Sequence, residues 1–492
     1  MGRVQGGARA AFATPSWGPA RITYFSRIID TKEQPSGDKP KFSILKNERN
    51  QNIRLGHLKG MNYKIAVVLG IFASASLVFA DGPWTLSACL KQAKEKSLKL
   101  ESAKIREQKA DVSIEQAKVA NYPTVSASIG NSLYDSPFRD GPQDHYRLNA
   151  SISASYTLWD GGTTKLSIQA NELNKEATRL STKETERSIQ ESVLNAYMNL
   201  LAAIEKLHTA DASVELAKAE FEHYNTLFEA GSITKKDLTQ SQANVLQKEA
   251  AQLSAQLSVN TSKTTLRQLL ELPESAEFEV SAPESDIKTP DELGAIPSLD
   301  ALQKTATDNH PGLKSDSLSI QAAKKNTEIA GKGKSVKVSL GANASTGLQA
   351  WESGKYGSQI KNGYSHSISL NINIPIVDGG ATENKVLQAQ LSETENMVAL
   401  KELAKSLENN IEKLYLNALS ADMQWKAAIL QVEAENEALL VAEEQHNVGS
   451  LTYTDLLSQK NRLESAQSTL TNAKYTSLLA RHLLDLYQGK LD

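Results

Sequence analysis

Two short segments of the chain share a polar pattern suited to ending one helix and starting another. The first is Gly231-Ser232-Ile233-Thr234 with Asp237, and the second is Gly449-Ser450-Leu451-Thr452 with Asp455. Glycine tolerates the left-handed backbone found at helix ends. A threonine followed three residues later by a carboxylate has the spacing of a capping box, with Asp in place of the usual Glu or Gln. We therefore expect two tight turns between helices, in which each aspartate accepts hydrogen bonds from helix-end amides.

The remaining candidates for chemistry are weak. The run Gly331-Lys332-Gly333-Lys334-Ser335 is similar to the end of a phosphate-binding loop, but Glu328 occupies the position of the first glycine. The predicted helix also precedes the strand instead of following it. The eight histidines show no metal-ligand spacing, and a single cysteine excludes a disulfide framework. We therefore expect no enzymatic activity, no metal and no cofactor.

The composition of the 492-residue chain excludes several classes of protein. Apolar residues make up 40% and charged residues 23%, which excludes a disordered chain and a polytopic helical membrane protein. The net charge of -3 carries no general signal for nucleic-acid binding. The charge is uneven, because residues 1–60 contain 11 Lys and Arg but only 4 Asp and Glu.

Residues 61–80 have the pattern of a secretory signal peptide. A lysine near the start is followed by an apolar stretch over residues 65–77, and cleavage is expected after Ala80. A buried hydrophobic helix is the alternative. Because the signal begins with its own Met61, residues 1–60 are expected to be a non-native or unstructured extension.

The chain contains an internal duplication. Asp160-Gly161-Gly162 recurs as Asp378-Gly379-Gly380, and the two glycine turns recur at the same offset of 218 residues. An unchanged offset indicates helices of fixed length between the matching points. Each copy reads as helix, strand, loop, strand, helix, turn and helix, with the Asp-Gly-Gly segments at the strand-to-helix transitions. We assign residues 81–272 to the first repeat, 273–298 to a linker and 299–492 to the second repeat.

Four segments alternate between apolar and small polar residues, two in each repeat. The clearest runs cover residues 148–158 and 367–374. Strands of about ten residues with one apolar and one polar face are typical of a transmembrane β-barrel. A half-buried sheet in a soluble domain has the same period and is the alternative. The polar connections 133–145 and 346–364 are expected to be loops that face the cell exterior.

Four strands are too few to close a barrel, which needs at least about eight. An open edge in lipid would leave backbone groups unpaired, at a cost of several kcal/mol for each group. The membrane interpretation therefore predicts an oligomer, and three chains would supply twelve strands.

Two long segments, Thr163–Glu229 and Ala381–Asn447, contain neither proline nor glycine. Each has 67 residues and would extend about 100 Å as a helix. Beyond the second turn, leucines recur every seven residues and alanines fill the positions between them, which predicts a closely packed coiled coil. These residues are Leu456, Leu463, Leu470, Ala466, Ala473 and Ala480.

This combination of signal peptide, duplicated strand pairs, Asp-Gly-Gly steps and glycine turns resembles the TolC-type outer-membrane efflux proteins, also called outer membrane factors. The resemblance covers residues 84–492. It implies an α+β membrane protein, in which a trimeric twelve-stranded outer-membrane β-barrel, with four strands per chain, continues into a long α-helical coiled-coil tunnel through the periplasm. It also implies that the protein is the exit duct of a tripartite efflux or type I secretion system.

The resemblance further implies partners and site residues. The partners would be two further copies of the chain, a periplasmic adaptor (membrane fusion) protein, an inner-membrane pump and outer-membrane lipid. The turns 231–234 and 449–452 would contact the adaptor. Asp237 and Asp455 would be candidates for the pore constriction, and helix capping alone is the alternative role. Leu451 stands where some members of the family have a basic residue that helps to lock the closed end.

A second class of function stays open at this point. An exported periplasmic coiled-coil scaffold without channel activity would share the signal peptide and the long helices. It would not need four strands with two chemically different faces, so the strands discriminate between the two classes. For the duct, both small molecules and proteins are compatible as cargo, and both proton-driven and ATP-driven pumps are compatible as partners.

Overall fold

The computed structural model describes residues 83–135, 144–275, 278–281, 287–349 and 356–490. The predicted signal peptide and the segment before it lie outside these residues. The same holds for the middle parts of both predicted outer loops and for two short pieces of the predicted linker.

The order of the elements repeats one pattern twice. The first repeat consists of α1 (Leu86–Lys96), α2 (Leu98–Val119), β1 (Thr124–Asp135), β2 (Asp144–Trp159), α3 (Thr163–Glu229) and α4 (Lys235–Leu269). The second repeat consists of α5 (Leu299–Asn309), α6 (Pro311–Gly331), β3 (Lys337–Gln349), α7 (Tyr356–Asn362), β4 (Ser365–Asn373), α8 (Ala381–Asn447) and α9 (Tyr453–Gln488). Short 3-10 turns lie at Pro290–Leu293 and Lys332–Lys334.

The two longest helices, α3 and α8, begin and end at the predicted residues, and each has 67 residues. α4 packs along α3, and α9 packs along α8, so each repeat ends in a helical hairpin. In the predicted coiled-coil seam of α9, Leu456 and the three alanines are buried and the other two leucines are half-buried. Among the described helices, none combines the length and the apolar character needed to cross a lipid bilayer.

The strands differ in detail from the prediction. They have 12, 16, 13 and 9 residues, so three of them exceed the expected ten. β4 ends at Asn373 and leaves Ile374 outside the sheet, because the next residue, Pro375, has no amide hydrogen for a ladder. The short helix α7 lies in the second predicted outer loop. It was not predicted, because its seven residues are too few to show a helical period.

The four strands form one antiparallel sheet in the order β1-β2-β3-β4. The register places Ile152 of β2 opposite Ala127 of β1 and Ala344 of β3. Because side chains alternate between the faces of a sheet, this register collects aliphatic residues on one face and small polar residues on the other. The aliphatic face is uncovered in the single chain, where Ile129 and Ile368 are each 79% exposed.

The main hydrophobic core surrounds the middle of α3. Val193, Tyr197 and Leu201 of α3 belong to one buried cluster with residues of α1, α4 and α9 and with Phe278 of the linker. A second cluster around Ile411 joins α5, α6, α8 and α9. Burial is therefore concentrated at mid-length of the long helices, where the short helices and the linker surround them.

Candidate functional site

The first glycine turn, which we call the first tip (residues 231–234), connects α3 to α4. Gly231 has a φ of +74°, and its amide donates to the carbonyl oxygen of Phe228 at 2.9 Å. The Asp237 amide donates to the Thr234 hydroxyl at 3.2 Å. In return, Asp237 Oδ2 accepts from the Thr234 amide at 3.3 Å and from its hydroxyl at 2.6 Å. This is a complete capping box, so Asp237 stabilises the start of α4.

The second tip (residues 449–452) connects α8 to α9 with nearly the same backbone. Gly449 has a φ of +76°, and the Ser450 amide donates to the carbonyl oxygen of Gln445 at 2.9 Å. The Asp455 amide donates to the Thr452 hydroxyl at 3.2 Å, and that hydroxyl donates to Asp455 Oδ2 at 2.6 Å. Asp455 is exposed, whereas Asp237 is half-buried. Both carboxylates therefore act in helix capping, and Asp455 is the more open to solvent.

An aromatic cluster, which the sequence analysis did not identify, joins the two hairpins beside the tips. Tyr224 Oη of α3 lies 2.7 Å from His446 Nε2 of α8, and the other ring nitrogen of His446 lies 2.9 Å from the carbonyl oxygen of Leu451. The ring of Tyr453 in α9 lies 4.4 Å from that of Tyr224, between centroids. His446 thus ties the backbone of the second tip to the first hairpin.

In the sequence, the available signal for this cluster was that its three residues differ from their counterparts in the other repeat. At the offset of 218 residues, Tyr224 corresponds to Ala442, His446 to Phe228 and Tyr453 to Lys235. Burial, then the neighbouring Tyr453, Glu220 and Asp237, raise the pKa of Tyr224. Its hydroxyl is therefore protonated across the physiological range and available as a hydrogen-bond donor to His446.

Further from the tips, a cavity of about 440 Å³ lies between α3, α4, α8 and α9. Two lysines cross it: Lys460 of α9 pairs with Glu220 of α3, and Lys248 of α4 pairs with Glu464 of α9. Both lysine side chains are largely buried, with 17% and 12% exposed. These ion pairs connect the two hairpins within one chain through a polar interface.

At the strand-to-helix transitions, an aspartate caps the long helix that follows. Asp160 accepts hydrogen bonds from the Gly162 amide at 2.9 Å and from the Thr164 amide at 2.6 Å. Asp378 accepts from the Gly380 amide at 3.2 Å and from the Thr382 amide at 2.9 Å. All four glycines of the two segments have positive φ: Gly161 (+74°), Gly162 (+86°), Gly379 (+61°) and Gly380 (+85°). The Asp-Gly-Gly segments therefore reverse the chain and start α3 and α8.

These capping bonds keep both aspartates ionised. The hydrogen bond from the Thr382 side chain, followed by those from the backbone and by the charge of Lys334, lowers the pKa of Asp378 to about 2. For Asp160, burial opposes ionisation, but the hydrogen bonds from Thr164 and Gly162 outweigh it and lower the pKa. Each carboxylate thus contributes stability at neutral pH.

The polar face of the sheet is lined with hydroxyl groups. The Oγ atoms of Ser126 and Ser153 are 2.8 Å apart, as are those of Ser128 and Ser151. In the described strands, the charged side chains on this face are Arg147 and Lys337, at its two ends. The face between them consists of Ser, Thr, Asn and Gly, with aliphatic side chains on the opposite side. Such a sheet suits water on one face and lipid on the other.

Known proteins share this combination of a two-faced sheet and duplicated long helices. The family model described as "Outer membrane efflux protein" matches residues 89–271 and 302–490, which include most of both repeats. The chain belongs to this family. As an outer membrane efflux protein, it resides in the outer membrane and extends into the periplasm.

Relatives and solved structures agree with the family over most of the chain. The outer membrane efflux protein BepC of Brucella suis is 24% identical, with 83% of this chain and 86% of the relative covered. The outer membrane protein TolC of Vibrio cholerae is 23% identical, with 84% and 93% covered. A crystal structure of CusC, in a study of folding and transmembrane channel formation, has a TM-score of 0.69 at 16% identity and covers 82% and 91%.

In this outer membrane efflux protein, the segment similar to a phosphate-binding loop has a structural role. Lys334 pairs with Glu383 in the first turn of α8 and lies 3.6 Å from Asp378. A Cβ atom added to Gly333 would lie 2.5 Å from the Thr382 hydroxyl. The segment therefore packs β3 against the start of α8. No group of three or more His, Cys, Asp or Glu that could hold a metal occurs within the described part of the chain.

Proposed function

We propose that three copies of this outer membrane efflux protein form a continuous exit duct for small molecules or secreted proteins. The four-stranded sheet carries the proposal. It has an exposed aliphatic face, a hydroxyl-lined face and two outer edges that pair with no other described strand. In a trimer, β1 of one chain would pair with β4 of the next, and twelve strands would close without an edge in lipid.

The chemistry of the two faces supports a water-filled barrel. Covering an aliphatic side chain such as Ile129 or Ile368 contributes about 1.5–3 kcal/mol when the side chain is fully buried. A scaffold in the periplasm would leave these side chains in water, so the exposed face favours the duct. The uncharged hydroxyl lining would let cargo pass this section with little discrimination by charge.

The tips are proposed to be the periplasmic docking end of the duct. Both tips are exposed and lie at the ends of the helical hairpins, with helices of 67 residues between them and the sheet. The first tip (Gly231, Ser232, Ile233, Thr234) and the second tip (Gly449, Ser450, Leu451, Thr452) would contact a periplasmic adaptor that connects to an inner-membrane pump. Asp237 and Asp455 would add negative charge around the closed pore, in addition to capping their helices.

Purification from outer membranes in mild detergent tests this proposal. Light scattering is expected to show a trimer, and planar-bilayer recordings of the same preparation are expected to show ion conductance. A stable monomer that retains its full strand content by circular dichroism would contradict the duct. A protein that neither inserts into bilayers nor conducts ions would favour the scaffold.

A further inference from the structure

The cavity between the two helical hairpins of one chain is long and narrow. On α3 its lining runs from Glu205 to Glu220, which is about 22 Å of helix. Its volume of about 440 Å³ lies within the range of sites that bind small molecules, and clefts between the helices of a bundle are common places for such sites. The shape therefore suits an elongated molecule.

The end of this cavity farther from the tips is rich in oxygen atoms. Glu205 and Thr209 of α3 line it together with Gln467 and Thr471 of α9. The Thr209 hydroxyl donates its hydrogen to the carbonyl oxygen of Glu205 at 3.1 Å, and the Thr471 hydroxyl donates to that of Gln467 at 3.1 Å. Each hydroxyl oxygen therefore keeps lone pairs for a further donor. A carboxylate and two hydroxyl oxygens at one place suit a group with several N–H donors.

The charges that line the cavity do not balance. They are the three carboxylates of Glu205, Glu220 and Glu464 and the two ammonium groups of Lys248 and Lys460. Lys460 pairs with Glu220, and Lys248 pairs with Glu464. Among the described residues no ion pair includes Glu205, although this residue is half-buried. One negative charge thus remains at the oxygen-rich end, where a cation that donates hydrogen bonds would stabilise it.

The end of the cavity nearer the tips is lined by leucines from three helices: Leu216 of α3, Leu439 of α8 and Leu457 of α9. Leu216 is 53% exposed, so an apolar chain beside it would remove aliphatic surface from water. Eleven residues, or about 16 Å of helix, separate Leu216 from Glu205. A molecule with its charged group at Glu205 therefore needs an apolar chain of about that length to reach these leucines.

We propose that this cavity binds a long-chain alkylammonium ion, with the ammonium group at Glu205 and the alkyl chain among the leucines near the tips. The site lies within one chain, so the inference does not depend on the proposed trimer. It is also separate from the tips and from their capping aspartates. A bound molecule would contact both hairpins and would add to the two ion pairs that connect them.

Isothermal titration calorimetry with dodecylammonium chloride tests the site. The full-length protein is held in lipid nanodiscs, and nanodiscs without protein give the blank for partitioning into lipid. Dodecylammonium is expected to bind at one site per chain. Glu205→Gln nearly preserves the shape of the side chain but removes its charge, so the affinity should fall about tenfold or more. Glu215→Gln is the matched control, because Glu215 is exposed on the same helix and does not line the cavity, and it should leave the affinity unchanged.

Two further ligands separate the contribution of the charge from that of the chain. Dodecanoate has the same chain length and the opposite charge. Butylammonium has the same charge, but its chain is too short to reach from Glu205 to Leu216. Both should bind at least about tenfold more weakly than dodecylammonium, because each lacks one of the two interactions.

A second variant tests the location independently of the charge. Ala212→Phe narrows the cavity at mid-length, at a position that is exposed and so can accept a larger side chain. The affinity for dodecylammonium should fall, and thermal unfolding by circular dichroism checks that the variant is folded. If the variant does not fold, Glu205→Gln alone decides. The proposal is wrong if Glu205→Gln binds as tightly as the unmodified protein, if a folded Ala212→Phe does so, if dodecanoate binds as tightly as dodecylammonium, or if the heat does not exceed the blank.

Discussion

The helices α3 and α8 have the same length and the same place in their repeats, but they have different surroundings. Tyr197 and Met198 of α3 are 0% and 1% exposed, within a core that includes α1, α4 and α9. Leu416 of α8, which corresponds to Met198, is 54% exposed. The two helices therefore match in sequence position and length, but the elements that pack around them differ. The long helix of the first repeat runs through the main core of the chain, whereas the long helix of the second repeat leaves aliphatic side chains exposed on one side.

The largest expected effect tests the core of the first repeat. Tyr197→Ala should destabilise the protein by about 3–5 kcal/mol, as expected for removing a large buried aromatic side chain. The substitution also removes the hydrogen bond that Tyr197 donates to the carbonyl oxygen of Ser281. Tyr415→Ala at the corresponding, half-buried position should cost less. Thermal unfolding followed by circular dichroism in detergent measures both, and equal losses would remove the difference between the repeats.

The second-largest expected effect concerns the exposed side of α8, which carries Met423. Met423→Glu introduces the residue that α3 has at the corresponding position, Glu205. An unpaired carboxylate in a contact between copies costs several kcal/mol. On dilution, the variant trimer should therefore dissociate at a protein concentration about tenfold higher or more than the unmodified trimer. Gln424→Glu, on an exposed position beside it, should leave the trimer unchanged. Light scattering over a dilution series distinguishes the two variants. Similar behaviour of both would show that the side of α8 that carries Met423 is not in a contact between copies.

A smaller effect concerns the strand-to-helix transitions. The folded pKa of Asp378 is lowered from its ordinary value of 3.8 to about 2, so its contribution to stability is present above pH 3.8 and is lost as the pH falls toward 2. The pKa of Asp160 is shifted in the same direction. Asp378→Asn should lower stability at neutral pH and flatten the acid dependence in this window. Thermal unfolding measured at several pH values provides the test, and an unchanged acid dependence would contradict the pKa shift.

The smallest expected change in stability compares the two tips. Asp237→Asn and Asp455→Asn should each cost about 1 kcal/mol or less, the range for a weakened helix cap. If the carboxylates also ring the pore, cation preference and single-channel conductance should change. The change should be larger for Asp455, because its carboxylate is exposed whereas that of Asp237 is half-buried. Planar-bilayer recordings compare the variants, and unchanged selectivity in both would leave only the capping role.

Much of the fold was accessible from the sequence, because it depends on local patterns. The absence of proline and glycine correctly delimited α3 and α8 to the residue. Strict alternation identified all four strands, since the sheet has chemically different faces. Strand ends were less accurate, because β2 extends as far as its neighbours pair with it, and this depends on the tertiary structure.

The candidate site was also predictable from the sequence only in part. The tips and the Asp-Gly-Gly segments were recognisable, because left-handed glycines and capping aspartates act within a few residues of each other. The cluster of Tyr224, His446 and Tyr453 was not, because its members come from three helices separated by up to 229 residues in the chain. Each of these residues differs from its counterpart in the other repeat, but such a difference does not specify which residues are in contact.

The sequence by itself determined the duplicated architecture, the lengths of the long helices, the two-faced strands and the geometry of the turns. Each of these follows from periodicity or from backbone preferences within a short segment. The tertiary structure alone decided which side of each long helix is covered. It brings α1 and α9 against α3 but leaves aliphatic side chains of α8, such as Leu416 and Leu430, exposed, although α3 and α8 occupy the same place in the two repeats. Burial depends on neighbours that are distant in the chain, and two copies of one helix can therefore differ in what surrounds them.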